Sequence, residues 1–385
     1  MSRVERNRVS TGRDLLPAGA DVGFRWGFLS PQGKTGVGVD MGSGHLKVVQ
    51  TRWTRNGPRL ENYAICPLPS GMMLEGAVVT PEHLGDLLRN VVRAMGLRQS
   101  RLGCSIGGPA VMMRYLNLPR VSMEEMRAAM KFEAPQHLPI PEEQLVYDFC
   151  LVADAPGVPE HQVAVFLAGT QKRLVQGHLD SLARAGLRSD AVELDCMALI
   201  RALEWMGAVP HESAHPVVLL DFGEVGTRIA IMRFGIPMLS RTIPTGLTHL
   251  RTAIADTLGM PLYDAERAMR LKGVEEDPEL APAVGPWLDT LVEAIGRSVE
   301  FFLIQHRGVH LERVFLSGGG AMLPGMSRTL TDRLAPALGL RADGEPVAVE
   351  EATLHGIEIN PALLPQINNV GPILLTALGS ALREG

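Results

Sequence analysis

The chain has 385 residues, which at roughly 100–200 residues per domain predicts two or three domains. Hydrophobic residues make up 46% and charged residues 21%, which excludes wholesale disorder, and the 41 glycines exceed the usual share and indicate turns or ligand loops. The formal net charge of −5 disfavours nucleic-acid binding, because such proteins usually carry a basic domain.

Cysteine spacing and the N-terminal region indicate the compartment. The four cysteines lie far apart, which favours reduced thiols over a zinc site or a disulfide framework. No apolar run approaches the roughly 20 residues that span a bilayer. Residues 1–34 are polar, lack the apolar segment of a secretory signal, and are interpreted as a flexible tail. We therefore expect a cytoplasmic protein.

The first folded segment predicts a hairpin followed by a helix. Two β-rich runs, 37–40 and 46–51, flank a short turn that contains glycine, a pattern typical of a β-hairpin. Residues 80–95 then carry leucine and valine at helical spacing.

A short α/β block follows. Ser122 and Glu125 form a capping-box pattern at the start of a helix, and Pro135 is expected to end that helix. The methionines along this helix favour core packing over a partner groove. A second amphipathic helix is predicted over 172–185, with Gly186 as its stop.

From Pro216 the alternation of strands and helices begins again. A buried strand over 217–221 precedes a strand over 228–232, and a turn at 234–235 leads to a third strand. The stretch 341–372 is expected to be irregular. Further elements are predicted as a strand over 313–316 and helices over 246–258, 262–271, 287–302 and 372–383. Mixed strands and helices in this order predict an α/β protein.

Two Asp-x-Gly segments, which start 181 residues apart, indicate an internal duplication. Asp40 and Asp221 each end the first strand of a predicted hairpin. Glycine lets backbone N–H groups approach an oxyanion, a carboxylate at a strand end can hold Mg²⁺ through water, and Lys47 can place charge on a phosphate. A third glycine cluster, 318–320, could lie against a flat base. Together these features predict a polyphosphate-binding site.

This order of loops resembles the nucleotide site of the actin, sugar kinase and heat-shock chaperone superfamily. Residues 40–47 resemble the first phosphate loop of actin, 221–227 resemble the second, and 317–320 resemble the adenosine loop. Within that superfamily, residues 26–383 resemble the type IV pilus assembly protein PilM family. The most specific part of the resemblance is 126–149, a helix followed by a Leu-Pro-Ile-Pro turn and an acidic strand.

The resemblance implies an α/β, actin-like (ribonuclease H-like) two-lobed fold with a small inserted α/β subdomain. The implied domains are a flexible N-terminal tail, 1–34; a first nucleotide-binding lobe, 35–100, completed by about 187–215 and 340–385; an inserted partner-binding subdomain, 101–186; and a second lobe with the second phosphate loop and the adenosine loop, 216–340.

The resemblance also implies ATP and Mg²⁺ as ligands. Asp40 and Asp221 would hold Mg²⁺ through water. Asp195 would either polarise an attacking water, as a catalytic residue, or form a structural salt bridge. The other implied nucleotide contacts are Gly42, Ser43, Gly44 and Lys47 on one side of the phosphates, Gly223 and Thr227 on the other, Glu266 at the ribose, and Gly318, Gly319 and Gly320 at the adenosine.

Three departures from the family pattern bear on hydrolysis. His45 and Leu46 replace small residues of the first loop, Glu224 and Val225 enlarge the second, and Met269 stands where related proteins often have lysine. An additional carboxylate near the phosphates should weaken anion binding. We therefore expect ATP binding with slow or absent ATPase activity.

By the same resemblance, the protein would lie on the cytoplasmic, inner face of the inner membrane and bind the N-terminal cytoplasmic tail of PilN beside the inserted subdomain. It would link the alignment complex to the pilus motor and platform and reach the membrane only through partners. It would bind no nucleic acid, and a homo-oligomer is compatible with the sequence.

Three other interpretations share parts of this pattern. An FtsA-like cell-division protein has the same loops, but it usually ends in a basic amphipathic membrane helix, whereas residues 380–385 contain one basic residue. A sugar or acyl kinase would need a catalytic aspartate beside a sugar pocket, and the sequence has no matching motif. A platform protein of a related secretion or pilus system is the third.

Overall fold

The computed structural model describes residues 35–98, 101–152, 158–210, 215–274, 277–367 and 370–383. The predicted flexible tail, 1–34, lies outside these residues. The chain divides into two compact units, but residues 199–215 and 340–376, which the sequence assigned to the first lobe, lie in unit 2. Unit 1 comprises the described residues up to Met41, His45–Ala198 and those from Ala377 onward, and unit 2 comprises Gly42–Gly44 and Leu199–Thr376.

Unit 1 alternates strands and helices. Its elements are β1 (Thr35–Met41), β2 (His45–Thr54), β3 (Gly57–Pro67), β4 (Met73–Leu74), β5 (Ala77–Val78), α1 (Pro81–Ala94), β6 (Arg101–Ile106), β7 (Met112–Pro119), α2 (Met123–His137), β8 (Leu145–Val152), β9 (Gln162–Gln171), α3 (Lys172–Arg184) and β10 (Arg188–Leu194). The predicted hairpin is β1–β2, and the helices predicted over 80–95 and 172–185 are α1 and α3.

The remaining elements follow the same alternation. They are α4 (Asp195–Trp205), β11 (Val217–Phe222), β12 (Thr227–Arg233), β13 (Ile236–Ile243), α5 (Leu247–Leu258), α6 (Leu262–Lys272), α7 (Ala281–Gln305), β14 (Arg313–Gly318), α8 (Met326–Leu338), β15 (Ala348–Glu351), β16 (Glu358–Ile359), α9 (Leu364–Ile367) and α10 (Gly371–Ala381). Among the described residues, no helix has the length and apolar character needed to cross a bilayer.

The central sheets of the two units have the same topology. In unit 1, neighbouring strands run in the order β3, β2, β1, β6, β10, and in unit 2 in the order β13, β12, β11, β14, β15. In both, the first three strands are antiparallel and the last two join in parallel. This repeat confirms the internal duplication that the two Asp-x-Gly segments predict.

The glycines of β1 and β6 allow the C-terminal helix to lie directly on the first sheet. A Cβ on Gly38 would overlap the carbonyl oxygen of Ala377, and a Cβ on Gly103 would overlap that of Ser380. Just beyond the helix, Arg383 lies 3.7 Å from the buried carboxylate of Glu193. Part of the glycine excess is therefore explained by helix packing.

The inserted subdomain is a three-stranded antiparallel sheet in the order β7, β9, β8, covered by α2. Met126 and Met130 are buried against this sheet, which confirms the core interpretation of the methionines. Residues 101–106 and 172–184, inside the predicted 101–186 insertion, instead belong to the first sheet and its helices as β6 and α3. We therefore narrow the proposed subdomain to about 112–171.

The capping box of α2 is present, but the predicted helix end is wrong. Ser122 N donates to Glu125 Oε2 at 2.9 Å, and Glu125 N donates to Ser122 Oγ at 3.2 Å. The helix continues through Pro135 to His137. Proline has a helical φ and costs one backbone bond near a C-terminus, and Leu138 N still closes the last turn on Ala134 O at 3.0 Å.

Two further predictions for unit 2 needed correction. Residues 348–351, expected to be irregular, form β15 at the edge of the second sheet, where four residues are too few to show a period. Helix α7 begins at Ala281, six residues before the predicted 287: Pro282 stands in the first turn, where proline is tolerated, and the helix also continues through Pro286. Its Trp287 donates from Nε1 to Gly246 O at 3.1 Å.

Candidate functional site

The first loop joins β1 to β2 and contains one ion pair. Asp40 and Lys47 are Cα partners in the hairpin, and Lys47 Nζ donates to Asp40 Oδ2 at 2.7 Å. The two side chains are 5% and 14% exposed, so each charge is compensated by the other with little solvent. Gly42–Gly44 form the turn, and a Cβ on Gly44 would lie 2.9 Å from Glu224 Cβ.

Asp40 belongs to a buried group of acids in unit 1. Burial first, and then the carboxylates of Asp195, Asp40 and Glu193, raise the pKa of the Cys104 thiol far above its ordinary range. Asp195 begins α4 and is itself buried. Asp195 and Asp40 thus both lie close enough to Cys104 to raise the pKa of its thiol. This position is compatible with either role expected of Asp195, polarising a water or forming a structural salt bridge.

The second loop joins β11 to β12 and contains a stronger clamp. Asp221 and Arg228 are Cα partners, and Arg228 donates from Nε to Asp221 Oδ2 at 3.0 Å and also from Nη2. Ser317 Oγ donates to the other carboxylate oxygen, Oδ1, at 3.2 Å. Both oxygens of Asp221 are therefore engaged by neighbouring side chains of unit 2.

The third glycine cluster packs onto this loop. Gly318 has a φ of 79°, and a Cβ there would lie 2.5 Å from Asp221 Oδ1. A Cβ on Gly320 would lie 2.6 Å from Phe222 Cβ, and one on Gly319 would lie 3.2 Å from Leu247 Cδ1. Gly318 and Gly320 are thus required to be glycine because their backbone lies against Asp221 and Phe222, at the start of the second loop.

Thr227 and Gly223 have internal roles in the second loop. Thr227 is fully buried, and its hydroxyl donates to Thr245 O at 2.7 Å. Gly223 N donates to Gly226 O at 3.0 Å and closes the turn. The Thr227 hydroxyl is thus satisfied within the protein, and a phosphate contact at this position would have to come from the backbone.

Glu224 and Glu266 are joined by an arginine. Arg251 donates to Glu224 Oε1 at 2.6 Å and to Glu266 Oε2 at 2.9 Å, and Arg270 adds a bond to Glu266 Oε1 at 2.7 Å. Thr248 also donates to Glu224 Oε1. Burial disfavours the charged form of Glu266, but the two arginines outweigh it and hold the pKa of that carboxyl below its ordinary value. The expected repulsion between Glu224 and phosphate is therefore offset.

The two aspartates differ in how well they fit a hydrated magnesium ion. Among the described residues there is no cluster of three or more His, Cys, Asp or Glu side chains suited to a metal. Asp40 accepts a bond from Lys47 at one oxygen, Oδ2, so its other oxygen could receive one water of a hydrated ion. Asp221 has a guanidinium on one oxygen and a hydroxyl on the other, and does not fit this role.

An apolar recess lies in unit 1 between the inserted subdomain and the ends of β6 and β10. Its cavity volume is about 50 Å³. Two buried carboxylates, Asp148 and Glu193, and the hydroxyl-bearing Thr170 interrupt its apolar wall. The remaining lining residues are Ile106, Val111, Val146, Tyr147, Ala168, Gly169, Val175, Val192 and Leu194.

Sequence reasoning missed two cations of the candidate site. Arg228 stands seven residues after Asp221, as Lys47 stands seven residues after Asp40, so the duplicated spacing could have identified it. Arg251 has no counterpart in the motif, because its role depends on how α5 and α6 pack beside the loop.

Solved structures of similar shape establish the fold class. A chain of a PilM–PilN type IV pilus biogenesis complex is 28% identical, with 90% of this chain and 98% of that chain covered and a TM-score of 0.77. The ethanolamine utilization protein EutJ of Carboxydothermus hydrogenoformans is 18% identical, covers 96% and 94%, and has a TM-score of 0.50. The chain thus has the actin-like α/β fold that its sequence predicts.

Sequence comparison gives the family. The curated EutJ of Salmonella typhimurium is 28% identical over 175 residues, which are 45% of this chain and 54% of the relative, so the chain spans about half the length of that relative. The model of the type IV pilus assembly protein PilM family matches residues 38–384, which include both hairpins, the inserted subdomain and the glycine cluster. The chain therefore belongs to the family of type IV pilus assembly protein PilM.

Proposed function

We propose that this protein is the cytoplasmic, actin-like component of a type IV pilus inner-membrane assembly complex, and that it binds the N-terminal cytoplasmic tail of PilN. The observation that carries the proposal is the similarity, over 90% of this chain, to a structure of a PilM–PilN complex. In this role the protein links the alignment complex to the pilus motor and platform, and reaches the inner face of the membrane through its partners.

The recess of unit 1 is our proposed docking place for the PilN tail. It lies beside the inserted subdomain, where the family resemblance places a peptide groove, and its wall is largely apolar. Apolar side chains of a peptide gain free energy by leaving water for such a wall.

The peptide proposal is tested by filling the recess. Val111→Trp places a large ring in the lining, and we expect it to weaken binding of a fluorescent PilN tail peptide about tenfold or more. Val121→Trp is the matched control, because Val121 is exposed on the inserted subdomain, outside the lining. Fluorescence polarisation measures both. The proposal fails if the parent shows no binding at about 100 μM peptide, or if both variants bind alike.

We also propose that the protein binds ATP and hydrolyses it slowly or not at all. On the first loop, Gly42, Ser43, Gly44 and Lys47 would contact the phosphates, and Asp40 could receive a hydrated Mg²⁺. Elsewhere the proposed contacts are the backbone at Gly223 and Thr227, Gly318, Gly319 and Gly320 at the adenosine, and Glu266 at the ribose. Asp195 is the candidate for polarising a water.

The side-chain contacts of Glu266 and Asp221 restrict which residues can bind the ribose and the magnesium ion. Glu266 is held by Arg251 and Arg270, so a ribose hydroxyl would have to share the carboxylate with two guanidinium groups. Asp221 does not fit a water-mediated magnesium ion, because both its oxygens accept bonds from Arg228 and Ser317. Asp40 is thus the remaining candidate for magnesium. No nucleic-acid role is proposed, and a homo-oligomer remains compatible with this function.

A further inference from the structure

We propose that Arg228 takes the place of a divalent cation at the second loop, so that ATP binding by this protein does not require Mg²⁺, although Asp40 could receive a hydrated ion when one is present. The inference rests on the proposed nucleotide binding and concerns which positive charge, a metal ion or Arg228, faces the phosphates at the second loop. In the resemblance, Asp221 supplies a negative charge to hold a metal; in this chain that charge is already neutralised by a cation of the protein itself.

The geometry fixes Arg228 on Asp221. The two residues are register partners on β11 and β12, so both side chains leave the same face of the sheet. Two nitrogens of the Arg228 guanidinium, Nε and Nη2, donate to the Asp221 carboxylate. Because the guanidinium is planar and rigid, it loses less conformational entropy per hydrogen bond than a lysine side chain would.

The other oxygen of Asp221 is also engaged. Ser317 Oγ donates to Oδ1 at 3.2 Å, and the backbone of Gly318 passes so close that a Cβ there would lie 2.5 Å from the same oxygen. A water of a hydrated metal ion would have to share Oδ1 with Ser317 in the narrow space beside Gly318. The guanidinium, which stays protonated at any physiological pH, would also repel the ion.

The guanidinium remains accessible while it is clamped. The Arg228 side chain is 31% exposed, against 13% for Asp221, so part of it reaches solvent. Arginine is suited to phosphate because its donors lie in one plane and its charge is permanent. A polyphosphate approaching this loop therefore meets a fixed positive group instead of a carboxylate that needs a metal.

The test is isothermal titration calorimetry of ATP into the full-length protein, once with excess Mg²⁺ and once with EDTA. We expect the parent to bind in both buffers with affinities within about fivefold of each other. Arg228→Ser leaves the Asp221 charge uncompensated, so its affinity in EDTA should fall at least about tenfold below its affinity in Mg²⁺. Arg241→Ser removes the same charge from an exposed position on β13 and should behave as the parent does.

A second variant covers the case in which Arg228→Ser does not fold. Asp221→Asn keeps an oxygen for Arg228 and removes the negative charge, so ATP should bind in EDTA at least as tightly as to the parent. A parent that binds in Mg²⁺ but loses more than about fivefold in EDTA overturns this inference alone. An Arg228→Ser variant that binds equally in both buffers overturns the role of Arg228. A parent that binds in neither buffer overturns the nucleotide proposal and this inference together.

Discussion

The two Asp-x-Gly hairpins share a backbone topology and differ in what surrounds it. In the first, Gly38 stands two residues before Asp40 and lets the C-terminal helix touch the strand. In the second, Leu219 stands two residues before Asp221 and is buried in an ordinary apolar core. A duplicated fold has therefore acquired two different ways of covering the same strand.

The loops also differ in how they hold their aspartates. Asp40 has a lysine, a compact point charge on a flexible stem, whereas Asp221 has an arginine fork and a serine hydroxyl. A lysine can leave its partner to meet a phosphate at smaller cost than a clamped fork can. The two hairpins have the same topology and the same Asp-x-Gly spacing. The chemistry of each loop therefore depends on the cation that the following strand supplies, which is Lys47 on β2 and Arg228 on β12.

The largest expected effect tests how the two strands are covered. Gly38→Ala should lower the free energy of unfolding by about 3 kcal/mol, because the new methyl group overlaps the backbone at Ala377. Gly223→Ala in the second hairpin should cost only about 1 kcal/mol, since its Cβ would lie 2.9 Å from a single carbonyl oxygen, that of Gly226. Urea unfolding followed by circular dichroism measures both.

Gly285→Ala is the control for the glycine substitutions. Gly285 lies in α7, and a Cβ there would meet nothing within 4 Å, so alanine should stabilise the protein by about 0.5–1 kcal/mol through its better helix propensity. Equal losses for Gly38→Ala and Gly223→Ala would show that the C-terminal helix presses on β1 no more tightly than the turn carbonyl of Gly226 presses on Gly223, and would break the comparison.

A smaller effect is expected when the cation of the first loop is removed. Lys47→Met should weaken ATP binding about tenfold in Mg²⁺ buffer, because the proposed phosphate contact of Lys47 has no substitute on that loop. Lys172→Met removes the same charge from the exposed start of α3 and should leave the affinity unchanged. Calorimetry with ATP measures both variants.

The Asp40 charge that Lys47→Met leaves unpaired is buried, so the variant needs a folding control. The double variant Asp40→Asn with Lys47→Met removes both charges and should recover stability without recovering ATP affinity. If Lys47→Met binds ATP as the parent does, the first loop carries no essential phosphate contact, and the proposed contrast with Arg228 is lost.

Much of this architecture could be predicted because the relevant pattern is local. The hairpins, α1, α3 and the capping box of α2 follow from turn residues, spacing and caps within short windows. β15 could not be found in this way, because four residues show no period and its pairing with β14 is distant in sequence. For the same reason, the motif identified Asp40 and Asp221, but Arg251 became visible only through packing.

The smallest expected effect concerns the network that the second loop has and the first lacks. The pKa of Glu266 is held below its ordinary value of 4.5, since its bonds to Arg251 and Arg270 outweigh the opposing effect of burial. A carboxyl with a lowered folded-state pKa stabilises the protein above its unfolded-state pKa, and this stabilisation is lost as pH falls through the folded-state value. Because the groups are partly exposed, we expect Glu266→Gln to cost only about 0.5–1 kcal/mol near neutral pH.

That cost should shrink as the pH is lowered below the ordinary pKa of 4.5 and through the lower folded-state pKa, where the parent carboxyl also becomes neutral. Urea unfolding of parent and Glu266→Gln at neutral and acidic pH measures the difference, and Glu300→Gln, at an exposed position of α7, should show none at either pH. If the loss in unfolding free energy caused by Glu266→Gln stays constant with pH, the substitution acts through side-chain packing and not through the charge of Glu266. The second loop would then depend on packing as the first does, and the Glu224–Arg251–Glu266 network would not distinguish the two hairpins.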